Sequence, residues 1–275
     1  MSNKNGRVVY HTTGGYFKTG IDSNIKDILI KRPDELFKYA VENLKNSKRA
    51  RVAIIEVNGI KYFLKRYNVK NILHKFRRVC SPSLAWKIWR NNNLFSEKGL
   101  TTSSLIAAID FGKGVSYKGS FALYAYIDGA AKSIECVKNY YLDAAGRGGF
   151  LTLLARLIWE MHSKGIYHGD AKITNFIWVE NKGDIKISII DLDSVKFKQK
   201  VSEGQRVSDL KNMASSLACL DGSEQVAEEL FDAYIKYHNS WEKRRAFWLK
   251  KVVRKADKQL AHRKKRRGNA SGSRV

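Results

Sequence analysis

Apolar and β-branched residues fill positions 52–57, Asn58-Gly59 interrupts them, and residues 60–67 resume the pattern. Two such runs joined by Asn-Gly predict a β-hairpin, since both turn residues tolerate the positive φ of a two-residue loop. Further strand-like runs occupy residues 7–10, 104–111 and 121–127. Residues 33–44 read as a helical stretch opening on Pro33 with Asp34 and Glu35 in its first turn. Residues 84–98, with Trp86, Trp89 and Phe95 among polar neighbours, read as a helix stopped by Gly99. The clearest helical period lies in residues 150–161, where Phe150, Leu153, Leu154, Leu157, Ile158 and Met161 recur at steps of three and four. After a short loop at 163–165, strand-like runs at 176–179 and 185–190 flank a turn at 180–184, and from Gly204 the chain reads as helical to about residue 260. Strands with one helix, followed by helices around a small hairpin, predict an α+β fold of two lobes, without the βαβ alternation of doubly wound folds.

Length and composition fit this picture. A chain of 275 residues, 44% of them hydrophobic, suits one two-lobed domain or two small domains with a shared interface, with a packed core. The three cysteines, Cys80, Cys136 and Cys219, are scattered and form no CxxC pair, which argues against a disulfide framework or zinc site and for a reducing cytosol. No apolar run of signal-peptide type opens the sequence, and none is long enough to span a bilayer. Charge is the unusual property: 51 Lys+Arg against 26 Asp+Glu, a net of +25, predicts attraction to polyanions.

Candidate chemistry is concentrated in two short segments. His168-Gly169-Asp170-Ala171-Lys172-Ile173-Thr174-Asn175 follows the amphipathic helix, and Ile189-Ile190-Asp191-Leu192-Asp193 ends an apolar strand. Phosphoryl transfer requires a positioned acceptor hydroxyl, magnesium on the phosphates and nearby cations, with little covalent help from the protein. A carboxylate such as Asp170 can accept the hydroxyl proton. Asn175 and Asp191 offer hard oxygen ligands for magnesium. Lys172, two residues beyond Asp170, can reach the transferring phosphate.

An HGDxxxxN segment followed by an apolar strand ending in Asp resembles the catalytic and metal loops of the protein-kinase-like superfamily. The resemblance covers roughly residues 50–220. Residues 62–67 (YFLKRY), Trp89-Arg90-Asn91 ahead of Gly99-Leu100-Thr101, Ile190-Asp191-Leu192-Asp193 and Asp209-Leu210 are most similar to lipopolysaccharide-core kinases of Gram-negative bacteria, which phosphorylate heptose or Kdo. The resemblance implies ATP and Mg2+ as cofactors, a β-rich N-lobe over residues 1–128 and a mainly helical C-lobe over 129–260; composition predicts a basic, disordered tail at 261–275. It implies that Lys65 grips the α- and β-phosphates, with His168 supporting the catalytic loop through hydrogen bonds. Asp193 would assist with metal or substrate, and Asp209 would anchor the loop by accepting backbone N–H bonds. The substrate it implies is a lipid-linked phosphorylated glycan, met at the cytoplasmic face of the inner membrane.

The chain departs from the superfamily pattern in two places. A basic stretch, residues 45–51, stands where a glycine-rich phosphate loop is expected, and its side chains are candidates to cover the nucleotide instead. No glutamate occupies residues 86–93, leaving Glu97 or Glu56 as partner for Lys65. Gly169 replaces the arginine that reads activation-loop phosphorylation in many regulated protein kinases, and no Pro follows Asp191, which favours a small-molecule or glycan acceptor over a peptide. Residues 242–275 hold fourteen Lys/Arg and two acids, interleaved with Phe247, Trp248, Leu249, Val252 and Val253. That composition fits a basic amphipathic helix on an anionic membrane. The alternatives are a small-molecule phosphotransferase of the aminoglycoside or choline kinase type and a catalytically degenerate kinase fold. Nothing in the sequence carries a nucleic-acid-binding signature, and nothing fixes the oligomeric state.

Overall fold

The computed structural model describes residues 7–9, 13–69, 83–112, 116–181, 184–223 and 225–271. Tyr10, Cys80, Pro82, the turn residues Lys182 and Gly183, and the last four residues of the basic tail lie outside them. The chain divides into two compact units, Met1–Asp128 and Gly129–Val275.

The first unit is built on strands β1 (Arg7–Val9), β2 (Thr13–Phe17), β3 (Ala40–Asn46), β4 (Ala50–Val57), β5 (Ile60–Asn68), β6 (Leu105–Phe111) and β7 (Gly119–Ala125). They form one antiparallel sheet in the order β1-β2-β6-β7-β5-β4-β3. The Asn58-Gly59 turn joins β4 to β5 with φ of 53° and 74°, the left-handed values the hairpin reading requires. Alternation along the strands divides the core in two. Ala53, Ile55, Leu64, Ile109 and Phe121 pack with Ile25, Leu29, Leu36 and Phe37 from helix α1 (Ser23–Lys31) and the 3-10 helix Pro33–Tyr39. On the other face Ala108 and Ala122 pack with Leu84, Ala85 and Ile88 of helix α2 (Leu84–Glu97). Ser83 Oγ and Asp110 Oδ1 accept the first amide N–H groups of α2, from Trp86 at 3.0 Å and Ala85 at 3.2 Å.

The helical expectation for residues 33–44 gives way here to two elements: the 3-10 helix ends at Tyr39 and the chain enters β3. Pro33 and the acids open a helical turn as their chemistry predicts, but pairing with β4 claims the residues beyond it.

The second unit contains α3 (Ser133–Tyr141), α4 (Ala144–Ser163), the short strands β8 (Ile166–Tyr167) and β11 (Lys196–Phe197), the hairpin β9 (Phe176–Asn181) and β10 (Asp184–Ile189), and helices α5 (Glu203–Asp221), α6 (Val226–Ile235) and α7 (Arg245–Ser271). α4 begins six residues before the apolar period, through Gly146, Gly148 and Gly149. Asp143 caps it by accepting Gly146 N–H at 2.8 Å, and Arg147 is held by Asp221 at 2.9 Å and Glu229 at 2.8 Å. The single helical reading beyond Gly204 resolves into three helices, because Gly222 ends α5 at φ 77°. Buried Trp241 stacks on Phe231 and Trp248 and fixes the start of α7 against α6. α7 continues through Ser271, past His262 where the composition predicts disorder. Leu260 is still buried, and the Ala, Lys and Arg residues that follow are good helix formers. No helix among the described residues is long and apolar enough to cross a membrane.

Gly165, between α4 and β8, sits at φ +76°, and a Cβ there would lie 2.0 Å from the Lys198 carbonyl oxygen. Gly165→Ala is expected to destabilise the protein by about 2 kcal/mol or more in urea denaturation, from left-handed strain and overpacking together. Gly148→Ala, in helical backbone with open space around it, is expected to stabilise by roughly 0.5–1 kcal/mol.

Candidate active site

The loop from His168 to Asn175 is pinned by one buried carboxylate. Asp209, fully buried on α5, accepts the backbone N–H of His168 through Oδ2 and of Gly169 through Oδ1, both at 2.9 Å. Two helical turns further along α5, Ser216 Oγ accepts the N–H of Ile173 at 2.9 Å. One helix face therefore holds both ends of the loop. Gly169 is required by its geometry: φ is +79° and a Cβ would meet the Ser194 carbonyl oxygen at 3.0 Å.

Asp209 is part of a longer buried chain. Arg206 donates to Tyr234 Oη at 2.8 Å, Tyr234 lies 2.8 Å from His162 Nδ1, and His162 Nε2 lies 3.2 Å from Asp209 Oδ2. The tautomer that satisfies every atom has Tyr234 donating to Nδ1 and Nε2–H donating to Asp209. A buried guanidinium and a buried carboxylate are thus linked through two neutral groups. Burial pushes the His162 pKa down against the pull of Asp209, and burial pushes the Tyr234 hydroxyl above its ordinary range.

The hairpin brings the metal-ligand candidates together. Phe176 pairs with Ile189, so residues sixteen apart in sequence, Asn175 and Asp191, meet at its open end. Ile190 N–H donates to the Asn175 carbonyl at 2.8 Å. The Asn175 amide donates to the Asp170 carbonyl at 2.9 Å and is 3.4 Å from Asp170 Oδ2, while Lys172 Nζ lies 2.7 Å from the same Oδ2. Asp191 adopts φ 59°, ψ 56°, a left-handed conformation that Asp tolerates better than most side chains. Asp193 follows in the single 3-10 turn Leu192–Ser194.

These residues suit a magnesium ion. Asn175 uses its amide N–H to orient the loop, which leaves its carboxamide oxygen as a hard-oxygen donor, and the Asp191 carboxylate is a second donor of the same kind. Among the described residues no group of three or more His, Cys, Asp or Glu could form an all-protein cage. Magnesium sites on nucleotides commonly use one or two protein ligands and complete their shell with phosphate oxygens and water.

One expectation is corrected. The His168 ring makes no hydrogen bond through either nitrogen; it is fully buried and stacks on Phe176 at 5.9 Å. Its support of the loop comes from its backbone N–H and its ring face. Burial pushes its pKa down, with Asp209, Asp170 and Asp191 pulling the other way. Within the basic stretch at 45–51, the turn between β3 and β4 is closed by Ser47, whose Oγ accepts the Ala50 N–H at 3.2 Å. The Arg51 guanidinium lies 4.0 Å from the Phe37 ring centroid.

Lys65 belongs to the first unit. It stands on β5 opposite Val52 and Ala122, on the sheet face that carries α2, with its ammonium 4.6 Å from the Tyr67 ring centroid. The only acid on α2, Glu97, is exposed at the helix end, and Asn91 and Asn92 occupy buried positions of that helix. Glu56 pairs with Lys61, which places it about 13 Å along the strand from Lys65 at ~3.3 Å per residue. The sequence reading missed His162, Arg206, Ser216 and Tyr234. A histidine on the apolar stripe of α4 was the one available signal.

A β-rich unit with a strand lysine, and a helical unit whose loop and hairpin gather Asp, Lys, Asn and Asp, define the class of kinase-fold phosphotransferases. Residues 34–234 match the Lipopolysaccharide kinase (Kdo/WaaP) family, and the chain belongs to that family. Among solved structures, one described as WaaP in complex with acyl carrier protein is similar, with a TM-score of 0.61 and 17% identity over 89% of this chain and 98% of that one. No curated protein matches the sequence.

Burial of His162 and His168 as neutral rings makes stability depend on pH. Unfolded imidazoles take up protons near pH 6.5, whereas the folded rings resist, so the unfolded state binds more protons as pH falls. Denaturation at pH 7.5 and 5.5 is expected to show full stability at the higher pH and a loss at the lower. His168→Phe should reduce that loss; equal stability at both pH values would contradict the burial argument.

Proposed function

We propose that this member of the family transfers the γ-phosphoryl group of ATP to a sugar hydroxyl, on heptose or Kdo, of a lipid-linked lipopolysaccharide core at the cytoplasmic face of the inner membrane. The observation that carries the reading is the bonded set of Asp170, Lys172 and Asn175 in a loop pinned by Asp209, with Asp191 following Ile190, whose N–H bonds the Asn175 carbonyl. In this reading Asp170 orients the acceptor hydroxyl and takes its proton. Lys172, already 2.7 Å from Asp170 Oδ2, holds that carboxylate in place and turns toward the transferring phosphate. Asn175 and Asp191 would hold magnesium, which when bound neutralises charge on the phosphates. Lys65 would bind the α- and β-phosphates, and Asp193 the metal or the acceptor.

A glycan acceptor is supported by the family and by Gly169, whose left-handed backbone and 3.0 Å approach to the Ser194 carbonyl oxygen disfavour a side chain such as the arginine that reads a phosphorylated activation segment. The complex of WaaP with acyl carrier protein makes a carrier protein a candidate partner here too.

The test is phosphate transfer from ATP to dephosphorylated core oligosaccharide, followed by mass spectrometry. Asp170→Ala is expected to lower kcat by about 10²–10⁴-fold, the usual contribution of a general base, with Mg-ATP affinity nearly unchanged. Near-wild-type turnover by that variant would show that Asp170 does not have this role.

A further inference from the structure

The outward face of α7 combines an exposed aromatic ring with a lane of cations. The buried positions Val252, Ala256 and Leu260 turn one side of the helix toward the rest of the unit. With about 100° of rotation per residue, Phe247, Arg254 and Lys265 project within about 20° of one another on the opposite side. Lys250, Lys251 and Lys258 flank them. Phe247 is 45% exposed, in edge contact with Trp248, and lies under Arg244 at 4.5 Å and Lys251 at 5.2 Å.

The lane lacks internal compensation. Arg245, on the packed side, pairs with Asp232 at 2.6 Å, whereas Lys250, Arg254 and Lys258 have no ion-pair partner among the described residues. Like charges four residues apart repel along a helix. Cation density extends to the seam with α5, where burial, then Lys255 and Arg263, push the Lys211 pKa down. A surface of this kind is completed by an external array of anions.

We infer that the Phe247–Lys265 face of α7 is a docking surface for an anionic phospholipid bilayer, with Phe247 entering the headgroup boundary and Lys250, Arg254, Lys258 and Lys265 lying along the lipid phosphates. Cation-flanked aromatic rings suit the interfacial region, and basic side chains on an in-plane helix suit anionic headgroups. A nucleic acid would use the cations but would leave a phenyl ring between basic neighbours on the helix crest without a stated role. The choice of a lipid surface rests on the proposed function, whose acceptor is lipid-linked; the surface itself does not depend on catalysis.

The test is co-sedimentation of the full chain with vesicles of phosphatidylcholine, with and without phosphatidylglycerol. Lys250→Glu/Arg254→Glu/Lys258→Glu is compared with a control of equal charge change elsewhere in the unit, Lys132→Glu/Lys138→Glu/Lys236→Glu, all at exposed positions. Binding is expected only with phosphatidylglycerol, weakened at least about a hundredfold by the lane variant and little by the control. Phe247→Ala, which leaves net charge unchanged, is expected to weaken it about tenfold. Equal loss in lane and control variants, or no dependence on phosphatidylglycerol, would overturn the proposal. So would tighter binding to duplex DNA or to an acidic protein that the lane substitutions abolish. Mg-ATP affinity, measured on the same variants, should not change, and Asp191→Ala should bind vesicles as wild type does. A failure of lipid docking is thereby separated from a failure of the kinase reading.

Discussion

A single buried carboxylate organises the second unit. Asp209 has no exposure to water, yet it accepts two backbone N–H bonds from the His168–Asn175 loop and one from His162. A carboxylate in that setting is stable only while its partners are in place, since an unpaired buried charge is costly. The loop conformation, including the left-handed Gly169, is therefore part of the solvation of Asp209. The same dependence runs outward through His162 and Tyr234 to Arg206, so α4, α5 and α6 are fixed relative to one another by the groups that fix the loop.

The hairpin then performs the remaining geometric step. Its register sets Asn175 beside Asp191, and the Ile190 to Asn175 backbone bond closes the pair. Asp191 is held left-handed at the turn out of β10, a conformation of modest cost that directs the chain into the Leu192–Ser194 turn. With Asp170 and Lys172 bonded to each other and Asn175 bonded to Asp170, four groups suited to ATP chemistry share one rigid loop-and-hairpin frame.

Most of this frame was legible in the sequence, because its signals are local. Asn58-Gly59 defines a turn, the Phe150–Met161 period defines a helix face, and HGDxxxxN with a distant Asp has few readings other than a kinase loop. What was not legible depends on tertiary partners. Residues 40–44 become a strand because β4 offers an edge to pair with. The His168 ring stays unbonded, fully buried and stacked on Phe176, a tertiary setting that no local pattern around residue 168 reveals. Helical order beyond His262 follows from α7 packing against α5 up to Leu260, whereas composition alone reads as a charged tail.

The proposed function carries one requirement: nucleotide would bind through magnesium held by Asn175 and Asp191. Isothermal calorimetry of ATP binding, with magnesium and with EDTA, on wild type and Asp191→Ala tests it most directly. The account predicts magnesium-dependent binding by wild type and its loss in a variant that remains folded by circular dichroism. Absence of ATP binding by folded wild type, or equal affinity in EDTA, would contradict it.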